Sequence, residues 1–280
     1  MVRKFELHRA SLLKEQPLMV EIEFRNVGKS FVDPNTGEMR PAVSNISFSI
    51  AKGEVVSIIG PSGCGKSTLL NMGSGLYAPT SGEVHVSGKR VTKPVREVAF
   101  MLQKDLLMQW RTIEDNVALG LEIAGVGKSD RLKVANELLR KCHLKGYEKN
   151  YPHQLSGGMR QRAALARTLA VDPQVMLMDE PFSALDAQTK MILQQDLAQS
   201  LAENGKTALF ITHDLVEAIA LSDRLLVMSE RPGTIIEEII VDLPLRDNPL
   251  QRRKLPEIGP LQGRLMDLLK IGKEEDAAVH

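Results

Sequence analysis

The stretch VVSIIGPSGCGKSTLLNM, residues 55 to 72, constrains this chain more than any other. A continuous β-branched run ends in glycines and passes directly into a helical pattern, as a buried parallel strand feeds a helix. Within it GPSGCGKST (60 to 68) fits the spacing G-x-x-x-x-G-K-[ST] in the strand-then-helix context that this spacing needs. Glycine lets the backbone curl so that successive N–H groups and the helix start point at phosphate oxygens. Lys66 adds a positive charge, and the Ser67 hydroxyl is suited to ligating Mg²⁺. Gly60, Pro61, Ser62, Gly63, Cys64, Gly65, Lys66, Ser67 and Thr68 therefore form a candidate phosphate cradle. Cys64 reads as a small loop residue that a bound nucleotide would cover.

The same strand-then-helix grammar recurs at VMLMDE (175 to 180) and at TALFITHD (207 to 214) followed by LVEAIALS, which argues for a parallel-sheet α/β core. VEIEFRNV (20 to 27) and NISFSI (45 to 50) alternate apolar and polar residues, with the turn signals Asp33-Pro34 and Thr36-Gly37 between them. Between 112 and 150 the period becomes helical. Thr112 with Asp115 reads as a helix cap before Ile113, Val117 and Leu121; Ser129 reads as the next cap, before an apolar face of Leu132, Ala135, Leu138, Leu139 and Cys142. The expected organisation is a polar N-terminal extension (1–19), a domain over 20–245 with a helical insert at about 104–168, and a C-terminal extension (246–280) punctuated by Pro249, Pro256 and Pro260.

Formal net charge is +1, from 36 basic and 35 acidic residues, so no electrostatic footprint favours nucleic acid. Two cysteines make no multi-bridge framework and suit a reducing compartment. No segment reaches the ~18 uncharged apolar residues of a spanning helix. Work at a membrane would thus require a partner that supplies the membrane. The histidines at 8, 85, 143, 153 and 280 show no metal-ligand spacing.

VMLMDE places two carboxylates where an open α/β sheet presents its ligand crevice. Asp179 can hold Mg²⁺ through a water, and Glu180 is placed as the general base or water-orienting group of phosphoryl transfer to water. The alternative is an acid pair at a helix start, since Pro181 follows. Gln103 and His213, taken singly, read as surface or loop residues, but each follows an apolar strand-like run and so falls along the same sheet edge. In LSGGMRQR (155 to 162) Ser156 is a natural helix cap, and Gly157 and Gly158 permit close approach to an anion. An apolar stripe of Ala164, Leu165, Thr168 and Leu169 follows, so a plain capped core helix is the alternative.

The phosphate loop, Gln103, LSGGMRQR, VMLMDEP, SALD (183 to 186) and His213 stand in the order and approximate spacing of ATP-binding-cassette (ABC) ATPases, which the chain resembles over about 20 to 240. The resemblance implies an α/β fold of the P-loop NTPase (RecA-like) type: a mostly parallel sheet core, an antiparallel β subdomain and an inserted α-helical subdomain. It implies ATP and Mg²⁺ as cofactors, Phe31 as the aromatic that stacks on adenine, and Glu180, His213, Gln103 and Lys66 as the catalytic set. Ser67, Gln103 and, through water, Asp179 would serve the metal. Two cassettes would pair head to tail, with Ser156, Gly157 and Gly158 reaching the neighbour's γ-phosphate and Asp186 crossing the interface.

HQLSGGMRQRAALARTLAVDPQVMLMDEPFSALDAQTK together with RPGTIIEEIIVDLP resembles cassettes of the nitrate, sulfonate and taurine importers more closely still. Gln109 before Trp110, where that group has proline, and a longer 33 to 41 loop are departures. The expected function is the ATPase subunit of an importer, peripheral at the cytoplasmic face of the membrane. Its partners would be a permease and, indirectly, an extracytoplasmic solute-binding protein. A soluble ABC ATPase acting on nucleic acid or the ribosome is the competing class; such proteins carry two cassettes or a coiled-coil insertion, and this chain has neither. Leu106, Leu107, Met108 and Trp110 form an apolar cluster, either core or a groove for a permease helix.

Overall fold

The computed structural model describes residues 19–271, so the expected N-terminal extension falls, except for Met19, outside the described residues. β1 (Val20–Val32) and β2 (Met39–Ala51) form a hairpin, joined by β4 (Ser81–Val86) and β5 (Lys89–Arg90) in an antiparallel sheet of order β2-β1-β4-β5. β1 runs beyond the 20–27 expected from alternation because the turn tightens: Asp33 Oδ1 accepts from Asn35 N at 2.9 Å, and pairing continues to Val32 with Met39.

The second sheet has the order β10-β9-β3-β8-β7-β6, made of β3 (Val55–Ile59), β6 (Val98–Met101), β7 (Val175–Asp179), β8 (Thr207–Ile211), β9 (Arg224–Met228) and β10 (Ile235–Ile240). All its pairings are parallel except β9 with β10. Both faces are covered, which explains the unbroken apolar strands. On β7, Val175 and Leu177 join the core shared with the antiparallel sheet and α1 (Lys66–Gly73). Met176 and Met178 face the opposite core, against α5 (Gly157–Ala170) and α6 (Ala187–Glu203), which the chain reaches after the helices described next.

The helical insert between β6 and β7 contains α2 (Ile113–Val117), α3 (Leu119–Ile123), α4 (Lys128–Lys141) and the start of α5, around a core that includes Leu107, Ile113, Val117, Ala135, Leu139 and Cys142. Thr112 caps α2 as expected, accepting from Asp115 N. The expected single helix is interrupted at Ala118. The Asn116 carboxamide donates to the carbonyls of Met108, Arg111 and Thr112, drawing the first turn into the preceding loop. Ser129 is not a cap: α4 starts at Lys128 with Gly127 at its N-cap, and Arg131 donates to the Val126 carbonyl.

Residues 246–271 are packed into the fold rather than set apart. α7 (Leu215–Leu221) and α9 (Ile258–Leu268) share a core in which Ile258 and Leu265 meet Ala218, Ile219, Leu225 and Val227, and α8 (Pro249–Arg252) packs against α6 and α7. Arg252, 1% exposed, donates to the carbonyls of Ala220, Ser222, Val241 and Leu243. Four carbonyls at one guanidinium make this a structural staple, which alternating prolines and basic residues do not reveal in sequence.

Candidate nucleotide site

The parallel strands end level, Met101 beside Met178 and Asp179 beside Ile211, so the residues that follow them gather along one sheet edge. The loop after β3 curls through left-handed positions at Gly63 and Gly65, with φ of 76° and 106°. Gly65 is also confined by space, since a Cβ there would lie 2.4 Å from Val43 Cγ1 on β2. That contact brings the antiparallel sheet to the phosphate loop. Phe31, paired with Arg40 at the same end of the hairpin, is half exposed, with Tyr77 edge-on at 5.7 Å and Lys29 Nζ 5.3 Å from its ring centroid. It is therefore not core.

Lys66 Nζ donates to the carbonyls of Gly60 and Pro61, each at 2.8 Å, so the ammonium lies folded across its own loop. Cys64 differs from expectation: its side chain is 1% exposed and belongs to the core beneath the loop, so protein rather than nucleotide covers the thiol.

Asp179 at the end of β7 is buried, with the Ser67 hydroxyl close enough to act on its carboxyl. Burial pushes its carboxyl above the ordinary value, outweighing the lowering by Ser67 and Lys66, and neighbouring Glu180 adds to the rise. Glu180 takes a left-handed φ of 50°, a strained conformation for a non-glycine residue. One of its oxygens, Oε2, accepts from Gln103 Nε2 at 3.1 Å and lies 3.6 Å from His213 Nδ1. Thus Gln103, Glu180 and His213 are brought together, beside the Ser67–Asp179 contact. Asp179 and Glu180 do not open a helix, since a turn follows and α6 begins only at Ala187.

Ser156 caps α5, its Oγ accepting from Met159 N at 3.3 Å. A Cβ on Gly158 would press within 3.1 Å of the Ala184 carbonyl, whereas one on Gly157 would meet only Arg160 Nη2 at 3.9 Å. The chain's own packing crowds a side chain at 158 and leaves room for one at 157. Asp186 caps α6 by accepting from Thr189 N at 3.0 Å, and its pKa is lowered chiefly by that backbone bond. Of the apolar cluster, Leu107 is core, while Leu106 (56%) and Trp110 (76%) are exposed. Arg160 pairs with Asp105 at 3.0 Å and Arg167 donates to the Leu106 carbonyl at 2.8 Å, tying that loop to α5.

Two residues of the site went unread in the sequence. Gln161 sits on the α5 face that carries Ala164, Leu165 and Thr168, and its buried carboxamide holds the turn after Glu180. A polar residue in register with an apolar stripe was the available signal. Gly233 backs the phosphate loop, since a Cβ there would lie 2.1 Å from the Cys64 carbonyl oxygen. A cleft of about 530 Å³ between the ends of α4 and α5 and the C-terminal half of α6 includes none of these residues. A second, of about 410 Å³, runs from Gln103 to Gln109 and includes Gly157, Arg160 and Gln161.

The oxygen donors at hand, the Ser67 hydroxyl, the Asp179 carboxylate and the Gln103 carboxamide, fit the hard cation Mg²⁺. Among the described residues no cluster of three His, Cys, Asp or Glu side chains suits another metal ion.

A phosphate loop at a central strand, with a carboxylate pair on a parallel strand along the same edge, defines a nucleotide-binding ATPase of the P-loop class. The chain belongs to the ABC transporter family, whose model matches residues 43–183. The uncharacterized ABC transporter ATP-binding protein MJ0412 of Methanocaldococcus jannaschii is 41% identical over 257 residues, 92% of this chain and 94% of its own length. The taurine import ATP-binding protein TauB of Roseobacter denitrificans is 39% identical over 93% of this chain and 100% of its own length. TauB of Escherichia coli is 42% identical over 74% and 81%. Among solved structures, a dimeric post-hydrolysis state of the ATP-binding cassette MJ0796 bound to ADP and Pi aligns with a TM-score of 0.73 at 33% identity, covering 79% of this chain and 98% of that one.

Proposed function

We propose that this chain is the ATP-hydrolysing subunit of an ABC importer for taurine-like or related small solutes, working as a head-to-tail pair beneath a separate permease. The observation that carries the catalytic reading is the meeting of Gln103 and His213 at one carboxylate oxygen of Glu180, beside Ser67 and Asp179. In this reading Phe31 stacks on adenine and the backbone N–H groups of Ser62 to Thr68, past Pro61, which has none, receive the phosphates. The Lys66 ammonium exchanges its two loop carbonyls for phosphate oxygens. Ser67 and Gln103, with Asp179 through a water, would hold Mg²⁺, which supplies neutralisation of phosphate charge. Glu180 accepts the proton of the attacking water, while Gln103 and His213 orient that water and the γ-phosphate.

Ser156, Gly157 and Gly158 serve the partner's γ-phosphate. The open space at Gly157 supports this, because nothing in its own chain explains glycine there. Exposed Trp110 and Leu106 form the permease-facing surface, and Arg160 and Arg167 link it to α5. No helix among the described residues is long and apolar enough to cross a membrane, so the membrane element belongs to the permease. The cassette then sits peripherally on the cytoplasmic face, and a solute-binding protein outside acts on it only through the permease. The near-zero net charge disfavours the nucleic-acid alternative.

The deciding experiment is Glu180→Gln. It should keep ATP binding, slow hydrolysis by roughly 10²- to 10⁴-fold, the size of a lost general base, and leave an ATP-bound dimer that persists on gel filtration. Turnover within a few-fold of the parent would remove Glu180 from the base role.

A further inference from the structure

Among the described residues His213 makes a single polar contact, at 3.6 Å from Glu180, and most of its side chain is exposed. Its orientation is therefore inherited from the backbone of the turn that precedes α7. That turn is fixed by Asp214, whose Oδ1 accepts from Glu217 N at 2.9 Å and whose Oδ2 accepts from Lys190 Nζ at 2.8 Å. Lys190 also pairs with Glu217 at 2.8 Å. The same Glu217 carboxylate oxygen accepts from Gln194 Nε2 at 2.7 Å, and Gln194 Oε1 in turn accepts from Arg253 Nη2 at 2.6 Å. Gln194 and Glu217 are almost wholly buried, so the bond between them, the central link of this chain, lacks a competing water. Arg252, the preceding residue, grips the other end of α7 through the carbonyls of Ala220 and Ser222. Consecutive arginines from the C-terminal segment thus hold both ends of the helix that follows His213.

We infer that Arg253 is a positioning residue for His213: by fixing the Gln194 carboxamide it orders, through Glu217, Lys190 and Asp214, the turn that aims the imidazole at Glu180. A catalytic consequence rests on the role proposed above for His213, whereas the positioning itself does not. Without the guanidinium, Gln194 loses the partner that fixes its carboxamide. Glu217 is then drawn by Lys190 alone, and the Asp214 cap loses its fixed geometry. Binding of MgATP is untouched, because neither the phosphate loop nor Phe31 contacts this chain of bonds.

The test follows the full-length protein in two readouts, the imidazole resonances of His213, assigned by their loss in His213→Ala, and steady-state ATP turnover. Arg253→Gln should shift those resonances and lower kcat about 3- to 10-fold, the net worth of one ordinary hydrogen bond, with KM for MgATP within about twofold. In the His213→Ala background the same substitution should lower kcat no further, and Arg253→Lys should recover most of the loss. Unmoved resonances, or an equal fall in kcat in both backgrounds, would overturn the inference. Shifted resonances in a protein whose His213→Ala variant keeps parental turnover would uphold the positioning and refute the catalytic role of His213. Should Arg253→Gln not fold, Glu217→Gln, which keeps the shape and weakens the Lys190 contact, is read by the same resonances and the same outcomes decide.

Discussion

Gln161 donates from its carboxamide to the backbone carbonyl of Glu180 at 3.0 Å. The same group reaches Ser183 Oγ at 3.3 Å and accepts from Ala184 N at 2.8 Å, while Glu180 N donates to the Ile211 carbonyl at 3.0 Å. These bonds hold the left-handed backbone of Glu180, a conformation that costs of order 1–3 kcal/mol and persists only where its surroundings over-determine it. The helix that begins at Ser156 therefore sets the pose of the proposed base in its own chain.

Gln161→Leu keeps the side chain's bulk and deletes those bonds, leaving the Ala184 N–H without its buried partner. Unfolding stability should fall by about 1–3 kcal/mol, the cost of an unsatisfied buried group. Turnover should fall at least tenfold as Glu180 relaxes, with ATP affinity near the parental value. Parental kcat in a protein with a lowered melting temperature would mean that Gln161 only stabilises the turn.

Asp179→Asn separates stability from function. The raised pKa means that the folded state holds the carboxyl proton more tightly than the unfolded chain does. Ionisation therefore costs nothing to stability below the unfolded value, and the penalty is complete once pH rises above the folded value. Without nucleotide, Asp179→Asn should melt higher than the parent at neutral pH, and the gap should close as pH falls below the carboxylate range. With MgATP the order should reverse, because the variant gives up an anionic partner for the metal. Melting curves at two pH values, with and without MgATP, check both halves; a variant equally stabilised by MgATP would argue against metal holding by Asp179.

Gly233→Ala tests the support under the phosphate loop. The new methyl would sit 2.1 Å from the Cys64 carbonyl oxygen and 2.6 Å from Met228 Cε, so the loop must move. Stability should drop by about 1–3 kcal/mol, the usual range for overpacking, and ATP affinity should fall with it. Gly259→Ala is the control, in α9 with open space around its Cβ, and should gain up to about 1 kcal/mol from helix propensity. Unchanged ATP binding in Gly233→Ala, measured by titration, would show that the loop tolerates displacement.

What could be read from sequence were groups placed by strand ends. Gly60, Gln103, Asp179 and His213 each follow a β-branched or apolar run, and parallel strands covered on both faces leave such runs unbroken. Four kinds of residue escaped this logic. Gln161 and Gly233 act through tertiary neighbours distant in sequence. Arg252 looks like one of several basic residues near prolines, although its partners are carbonyls of α7 and of the chain after β10. Ser129, a good capping type, lost to Gly127 because helix starts are decided within a residue or two by loop geometry. Cys64 was misplaced because a glycine-rich loop suggests exposure, whereas the curl that frees backbone N–H groups turns this side chain inward.

The last prediction concerns the division of the site between two chains. Ser156→Arg and Lys66→Ala should each be nearly inactive alone, and their equimolar mixture should recover activity. In the mixed dimer one composite site collects both lesions, the lysine-less loop of one chain facing the blocked helix start of the other. The opposite site joins the intact Lys66 loop to an intact Ser156 and is wild type. Arginine at 156 keeps the α5 backbone but loses the cap to Met159 N, a cost of ~1 kcal/mol, which alone does not abolish turnover. Its larger effect is to crowd the neighbour's γ-phosphate, and only a shared site lets a second chain relieve that. If Ser156 merely caps its own helix, mixing yields two damaged subunits and no gain. ATP turnover is measured for each variant and for the mixture after subunit exchange, with heterodimer content verified and permease present if isolated cassettes pair poorly. Activity no greater than the mean of the two parents, in a sample rich in heterodimer, contradicts the shared site unless one intact site cannot fire alone. A tandem fusion carrying only one mutated site resolves that exception, since it should hydrolyse ATP if single sites suffice.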